Sequence, residues 1–151
     1  MKILIIGYGN TLRGDDGIGV LAVEALEEAG MPPNVDMITC QQLTPELAEE
    51  LAFCDRVAFI DACMPDGNPP GTIKRKTLEP TSVDPGNITH GFDAGGLLAL
   101  TQMLYGKQPE AVIFTITGGS FDLSESLSEP VENALLNLMI QVDEWIQEGS
   151  G

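Results

Sequence analysis

Apolar and polar residues along the chain follow strand and helix periodicities in turn. Lys2 to Ile6 is an apolar run that ends at Gly7, which is typical of a buried parallel strand. Apolar residues then recur at helical spacing from Ile18 to Ala29, and Gly30 is expected to end that helix. Further strands are predicted over residues 35–40, 56–61, 71–78 and 111–117.

Three more helices are predicted from capping residues and apolar spacing. Thr44-Pro45-Glu46 is expected to cap a helix that reaches about Phe53. Asp93 can cap a helix with one apolar face, formed by Leu97, Leu98, Thr101, Leu104 and Tyr105. Pro130 opens a final helix whose buried face is Val131, Leu135, Leu138, Val142 and Trp145. Residues 79–91 and 118–129 lack periodicity and are predicted loops, the first long enough to suggest a function.

Alternating strands and helices predict the fold class. We expect one domain over 1–151, a three-layer α/β/α sandwich around a mostly parallel sheet, of the phosphorylase/hydrolase-like kind, with residues 148–151 as a frayed tail. In such sheets, function lies outside the carboxyl ends of the strands, near a switch in strand order. If strand one lies between strands two and three, the loops after strands one and three flank one crevice.

Charge narrows the classes of partner. Seven Lys and Arg face 23 Asp and Glu, a net charge of −16, which repels phosphate backbones and anionic membranes. The basic cluster Lys74-Arg75-Lys76 is interpreted as a charged strand face. No apolar run approaches the roughly 20 residues that a membrane helix needs. The charge and the lack of such a run predict a protein without nucleic-acid or membrane partners. Three cysteines without metal-ligand spacing indicate reduced thiols, so we expect the protein to be cytoplasmic.

The first loop, Gly7 to Gly19, joins strand one to helix one. Gly7 and Gly9 match the start of a dinucleotide fingerprint, but Leu12 occupies the position of its third glycine. Two carboxylates, Asp15 and Asp16, would also repel a pyrophosphate. Both features make nucleotide binding the weaker interpretation. It is kept as the alternative hypothesis, in which the protein is a non-catalytic escort module that binds a nucleotide or partner at Gly7–Asn10.

Two aspartates of this loop and one after strand three are candidates for chemistry. Either Asp15 or Asp16 can cap the first helix, and capping alone explains Asp15 better than Asp16. Asp61 follows a buried apolar run, where it is a turn cap or a functional carboxylate. Across one crevice, Asp16 and Asp61 would repel each other unless a cation lay between them.

His90 is the single histidine and lies at the end of the long loop. A lone histidine is more often structural, but two carboxylates and one imidazole make a ligand set for a divalent cation with open coordination positions. Competing chemistries are weaker. Ser120 has no second histidine to activate it, and Cys63 with His90 is a conceivable nucleophilic pair.

At these residues the chain resembles the maturation endopeptidases of nickel–iron hydrogenases. The likeness covers nearly the whole chain and is most specific in Gly9-Asn10-Thr11-Leu12-Arg13-Gly14-Asp15-Asp16-Gly17-Ile18-Gly19. It continues in Ile60-Asp61-Ala62 and in the loop around His90. Thr89-His90-Gly91-Phe92-Asp93-Ala94-Gly95 is more similar to the branch that serves bidirectional, NAD(P)-linked hydrogenases.

The resemblance implies an activity and a site. Such enzymes cut a short C-terminal extension from the hydrogenase large-subunit precursor after nickel insertion. The family's metal-contacting positions, which are also its catalytic ones, fall on Asp16, Asp61 and His90. Many members have glutamate where this chain has Asp16, so the reach of that ligand differs by one methylene. The resemblance further implies that nickel comes with the substrate and that cadmium or zinc can take its place in vitro. We expect a monomeric endopeptidase of the aspartyl type.

Overall fold

The computed structural model describes residues 1–81 and 93–149. Its five strands are β1 (Ile3–Tyr8), β2 (Val35–Cys40), β3 (Arg56–Cys63), β4 (Ile73–Leu78) and β5 (Glu110–Thr117). Its four α-helices are α1 (Ile18–Ala29), α2 (Leu47–Ala52), α3 (Ala94–Tyr105) and α4 (Glu129–Glu148), and a 3₁₀ turn over Gly14–Gly17 precedes α1.

The strands form one sheet in the order β2-β1-β3-β5-β4, parallel except for β4, which runs antiparallel to β5 at one edge. Alternation along β1 sends Ile3 and Ile5 to the face covered by α1 and α4, and Leu4 and Ile6 to the face covered by α2 and α3. The predicted three-layer α/β/α sandwich with a mostly parallel sheet is therefore confirmed.

The strand order places β1 between β2 and β3, as the crevice prediction required. Helix α1 begins directly against the ends of β1 and β3. A side chain at Gly19 would collide with the carbonyl oxygen of Ile60, and one at Gly7 would collide with the carbonyl oxygen of Gly19. This close packing brings the loop between β1 and α1 beside the carboxyl end of β3.

The start of α2 and the buried face of α3 differ from the predictions. Helix α2 begins at Leu47 because the backbone around Pro45 forms a turn, in which the Leu47 amide donates to the Thr44 carbonyl over 3.1 Å. In α3, Leu104 and Tyr105 are exposed, because the last turn of the helix lies outside both apolar clusters.

The end of α4 also differs from the prediction. The helix continues through Glu148, one residue into the segment expected to fray. Two hydrogen bonds of 2.8 and 2.7 Å from the Arg75 guanidinium hold the Glu148 carboxylate. Arg75 belongs to the basic cluster Lys74-Arg75-Lys76, which is exposed on β4 but does not form the single strand face that was predicted, because Arg75 points to the side opposite its two neighbours. None of the helices in the described parts of the chain is long and apolar enough to cross a membrane.

Candidate functional site

Two of the three predicted site residues lie at the carboxyl edge of the sheet, close enough to interact electrostatically. Asp16 lies in the 3₁₀ turn that follows β1, and Asp61 lies near the end of β3. The negative charge of Asp16 acts on Asp61 and contributes to raising its pKa. The third, His90, falls within residues 82–92, outside the described residues.

The backbone of the first loop holds Asp16 in place. The amide of Asn10 donates to Oδ2 of Asp16 over 2.7 Å. Gly9 lies directly against Asp16, where a Cβ would collide with its carbonyl oxygen, and adopts φ +142°, a conformation that favours glycine. The glycines of this loop therefore serve close backbone packing around a carboxylate.

Asp61 is a half-buried carboxylate inside the strand. Burial raises its pKa from 3.8 to about 6, and the charge of Asp16 adds to that rise. Hydrogen bonds from the Tyr8 hydroxyl and the Ala62 amide act in the opposite direction without cancelling it. Asp61 belongs to β3, which continues to Cys63, so its side chain lies on the sheet and not in a following turn.

Tyr8 is a site residue that the sequence reasoning missed. In the parallel register Gly7 pairs with Ile60, so Tyr8 and Asp61 are the next positions along neighbouring strands. The Tyr8 ring packs edge-on against Phe59, with 6.5 Å between ring centroids. Burial, followed by the Asp61 charge, raises the pKa of Tyr8, so its hydroxyl keeps its proton as a donor. The register of β1 with β3 would have revealed this neighbour.

Asp15 has a structural role that differs from the predicted helix cap. It is fully buried and caps neither the 3₁₀ turn nor α1. Its carboxylate accepts four hydrogen bonds of 2.7–2.9 Å from the amides of Gly119, Ser120 and Ser128 and from the Ser128 hydroxyl. Burial by itself would raise the pKa of Asp15, but these four donors outweigh it and lower the pKa.

The second predicted loop is fastened along the first. The Gly14 amide donates to the Ser124 carbonyl over 2.8 Å, and the Ser124 amide donates to the Leu12 carbonyl over 3.0 Å. Together with the bonds to Asp15, they make residues 118–128 a wall beside the loop that carries Asp16. The wall includes Ser120, whose hydroxyl lies 3.5 Å from the Asp122 carboxylate and whose amide binds Asp15.

The cysteines are poor nucleophiles. Burial, followed by the charge of Asp66, raises the pKa of Cys63, which is opposite to the shift that activates a thiol. Burial also raises the pKa of Cys40, and it raises that of Cys54 to about 12. The Cys63 hypothesis therefore has no support in the environment of its thiol.

The described part of the site offers oxygen ligands. Within residues 1–81 and 93–149, no group of three or more His, Cys, Asp or Glu side chains is arranged to hold a metal ion. Asp16 and Asp61 supply two carboxylates, which suit a hard or borderline cation. The same carboxylates oppose a phosphate group, and the Asn10 amide that could bind one already donates to Asp16.

Fold and site together define an α/β protein with an acidic centre at the switch point of its sheet. Its sequence is 33% identical over 140 residues to the hydrogenase maturation protease MJ0253 of Methanocaldococcus jannaschii, a match that covers 88% of each chain. The hydrogenase maturating endopeptidase HybD of Escherichia coli superposes with a TM-score of 0.83, at 25% identity, over 99% of this chain and 94% of HybD.

A further solved structure agrees with these relatives. The [NiFe] hydrogenase maturation protease HycI of Thermococcus kodakarensis superposes with a TM-score of 0.75, at 27% identity, over 95% of this chain and 90% of HycI. No family model matches the chain. The whole-length likeness to MJ0253 shows that the chain belongs to the hydrogenase maturation proteases, and it is an endopeptidase.

Proposed function

We propose that this endopeptidase removes a C-terminal extension from the large-subunit precursor of a nickel–iron hydrogenase after nickel insertion. One observation carries the proposal: Asp16 and Asp61 interact at the switch point of a sheet that matches [NiFe] hydrogenase maturation proteases. Residues 89–95 further favour a bidirectional, NAD(P)-linked hydrogenase as the source of the precursor.

Nickel carried by the precursor is the ion that the proposed site recognises. Asp16, Asp61 and His90 are its proposed ligands, and they are the proposed catalytic residues. His90 precedes Asp93, the N-cap of α3, by three residues along the chain. Asp93 acts electrostatically on Tyr8, the neighbour of Asp61, so the end of the loop that carries His90 adjoins the described part of the acidic site.

A site of this kind makes cleavage depend on nickel. Two interacting carboxylates gain from a cation between them, so a precursor that brings nickel binds better than one without it. The bound ion would fix the scissile bond beside Asp16 and Asp61. With a pKa of about 6, Asp61 is mostly ionised at neutral pH and ready to bind the cation.

The decisive experiment compares nickel-loaded and nickel-free precursors. The wild-type protein is expected to release a C-terminal peptide from the loaded form alone, detected by mass spectrometry. Asp16→Ala, Asp61→Ala and His90→Ala should each abolish release while circular dichroism shows a folded protein. Asp122→Ala, which removes an exposed carboxylate from the neighbouring wall, is the matched control and should retain activity. Full cleavage by all three site variants would refute the assignment.

The escort-module alternative predicts a different ligand. Binding of ATP or NAD at Gly7–Asn10 would raise the melting temperature with nucleotide, whereas the proposed site predicts a rise with Ni²⁺, Cd²⁺ or Zn²⁺. The Asn10 amide donates to Asp16, and both site carboxylates repel phosphate, which favours the metal.

The proposed setting is a monomer in the cytoplasm, without nucleic-acid or membrane partners. The net charge of −16 and the three free, undissociated thiols support that setting.

A further inference from the structure

A groove of about 240 Å³ lies beside Asp16, between the loop after β1 and the carboxyl end of β2. Asn10 and Leu12 line it from the loop, and Thr39 and Gln41 line it from the strand. Asn10 links the groove to Asp16, because it lines the groove and its amide also donates to the Asp16 carboxylate. Gly9 and Asn10 therefore connect the lining of the groove to Asp16, which does not itself line it.

The lining of this groove carries no charged side chain, although 20% of the chain is charged and its net charge is −16. An uncharged surface next to an acidic centre accepts a neutral side chain without an electrostatic penalty. An acidic side chain placed there would be repelled by the nearby carboxylate of Asp16, which the Asn10 amide holds.

The strand that forms one wall has a free edge. β2 is the outermost strand of the sheet, and the main-chain groups of its even-numbered residues are the ones that point towards β1. The Cys40 carbonyl accepts from the Gly9 amide over 3.1 Å, and the Asn34 carbonyl accepts from the Ile3 amide over 3.0 Å. Because main-chain direction alternates along a strand, the amides and carbonyls of Met37 and Thr39 face away from β1.

These outward groups are open to a peptide. Within the described ranges, 1–81 and 93–149, no hydrogen bond engages the main chain of Met37 or Thr39 on that side. An exposed strand edge is a template for an extended segment, whose main chain supplies affinity while pockets select alternate side chains. Here Thr39 belongs both to the edge strand and to the lining of the groove, and Asn10 on the other side of the groove holds Asp16.

We propose that an extended, uncharged segment of the precursor adjoining the scissile bond adds to β2 as a further strand and places one side chain in this groove. The inference rests on the proposed function, because it assigns the same endopeptidase a substrate-binding track. Met37 and Thr39 supply main-chain pairing, and Leu12, Thr39 and Gln41 determine which side chain fits.

The first test introduces a charge at matched threonines on the two edges of the sheet. Thr39 and Thr77 are both exposed, one on β2 and one on β4. Thr39→Glu is expected to raise KM for the nickel-loaded precursor about tenfold with little change in kcat, the equivalent of about 1.4 kcal/mol. Thr77→Glu should leave KM within about twofold of the wild-type value.

Two controls make the comparison specific. Thr39→Ser should restore the wild-type KM, and Cd²⁺ affinity should be equal in all variants, because the metal ligands are untouched. Equal KM values for Thr39→Glu and Thr77→Glu, whether raised or not, would overturn the proposal, since general repulsion or no contact would then explain them.

A second test measures docking separately from cleavage. Amide hydrogen exchange is measured on the wild-type protein with and without the nickel-loaded precursor, over times shorter than cleavage requires. We expect slower exchange over residues 35–41 and unchanged exchange over 73–78 at the opposite edge. Protection of 35–41 without cleavage by the wild-type protein would keep the docking track and reject the proposed function. Unchanged exchange over 35–41 would reject the track, whatever the cleavage result.

Discussion

Asp15 and Asp61 are two aspartates withdrawn from water at the same end of the sheet, and the chain treats them in opposite ways. Four hydrogen-bond donors surround the Asp15 carboxylate and lower its pKa. Asp61 has weaker compensation and a negative neighbour, and its pKa rises to about 6. A buried carboxylate with a full set of donors stabilises the fold, whereas one without it costs stability and is available for a cation.

The largest expected effect of this difference is on folding. Asp15→Ala leaves the amides of Gly119, Ser120 and Ser128 without their acceptor and detaches the wall over 118–128. Hydrogen bonds to charged groups contribute about 1.5–3 kcal/mol each without full additivity. We expect the free energy of unfolding in urea to fall by at least about 3 kcal/mol.

Asp16→Ala is the matched control for that measurement. It removes a neighbouring carboxylate that accepts one backbone hydrogen bond, from Asn10, where Asp15 accepts four, and it also relieves repulsion with Asp61, so it should cost clearly less than Asp15→Ala. Similar losses for the two variants would mean that Asp15 is not the distinctive anchor.

A substitution of Asp61 is expected to increase the free energy of unfolding, whereas one of Asp15 decreases it. Its pKa rises from 3.8 in the unfolded chain to about 6 in the fold. The native state therefore binds more protons across that window, and the free energy of unfolding falls as pH increases through it. Asp61→Asn removes the ionised form and should stabilise the protein by about 2 kcal/mol above pH 6, while cleavage is lost.

Urea unfolding between pH 4 and pH 7 checks this prediction. The wild-type curve should decline across the range by an amount that Asp61→Asn lacks. A stability loss in Asp61→Asn at neutral pH would show that the carboxylate is well compensated after all.

Asp15 should affect the pH dependence of stability below its ordinary pKa of 3.8, where Asp61 affects it above that value. Because the fold lowers its pKa below 3.8, its stabilisation is complete above that pH and is lost as pH falls through the folded value. Acid unfolding monitored below pH 4 should be steeper for the wild-type protein than for Asp15→Asn. Equal slopes of the two acid-unfolding curves would show that protonation of Asp15 does not contribute to acid unfolding.

The smallest effect is expected at Cys63. Burial and the charge of Asp66 keep its thiol protonated, so Cys63→Ser should change cleavage of the nickel-loaded precursor by less than about twofold. Loss of activity in this variant, with an unchanged melting temperature, would revive a cysteine mechanism and place the chemistry outside the aspartate pair.

Local periodicity predicted most of the elements. The helix from Ile18 to Ala29 and the strand from Val35 to Cys40 have the predicted bounds. Asp93 caps α3 as predicted, with its Oδ1 accepting from the Gly96 amide over 2.7 Å. These succeed because helical and strand spacing and a side-chain cap depend on residues within a few positions of one another.

Contacts between distant segments could not be predicted in the same way. Asp15 was expected to cap its own helix, yet its partners lie 104 to 113 residues later. Tyr8 was not singled out, because its meeting with Asp61 depends on the register of β1 with β3. The predicted strand order is confirmed, since β1 lies between β2 and β3 and brings the loop that carries Asp16 towards Asp61, whereas the site assignment stays a prediction.

The amino-acid sequence on its own thus specified the alternation of strands and helices, the family, and the aspartates to consider, because these are encoded in spacing and motif. Tertiary structure assigned the aspartates their separate environments. Four donors from a remote loop converge on Asp15, while burial beside Asp16 leaves Asp61 under-compensated. The physical reason is that the pKa of a carboxyl group depends on the donors, charges and water around it, which only the folded chain brings together.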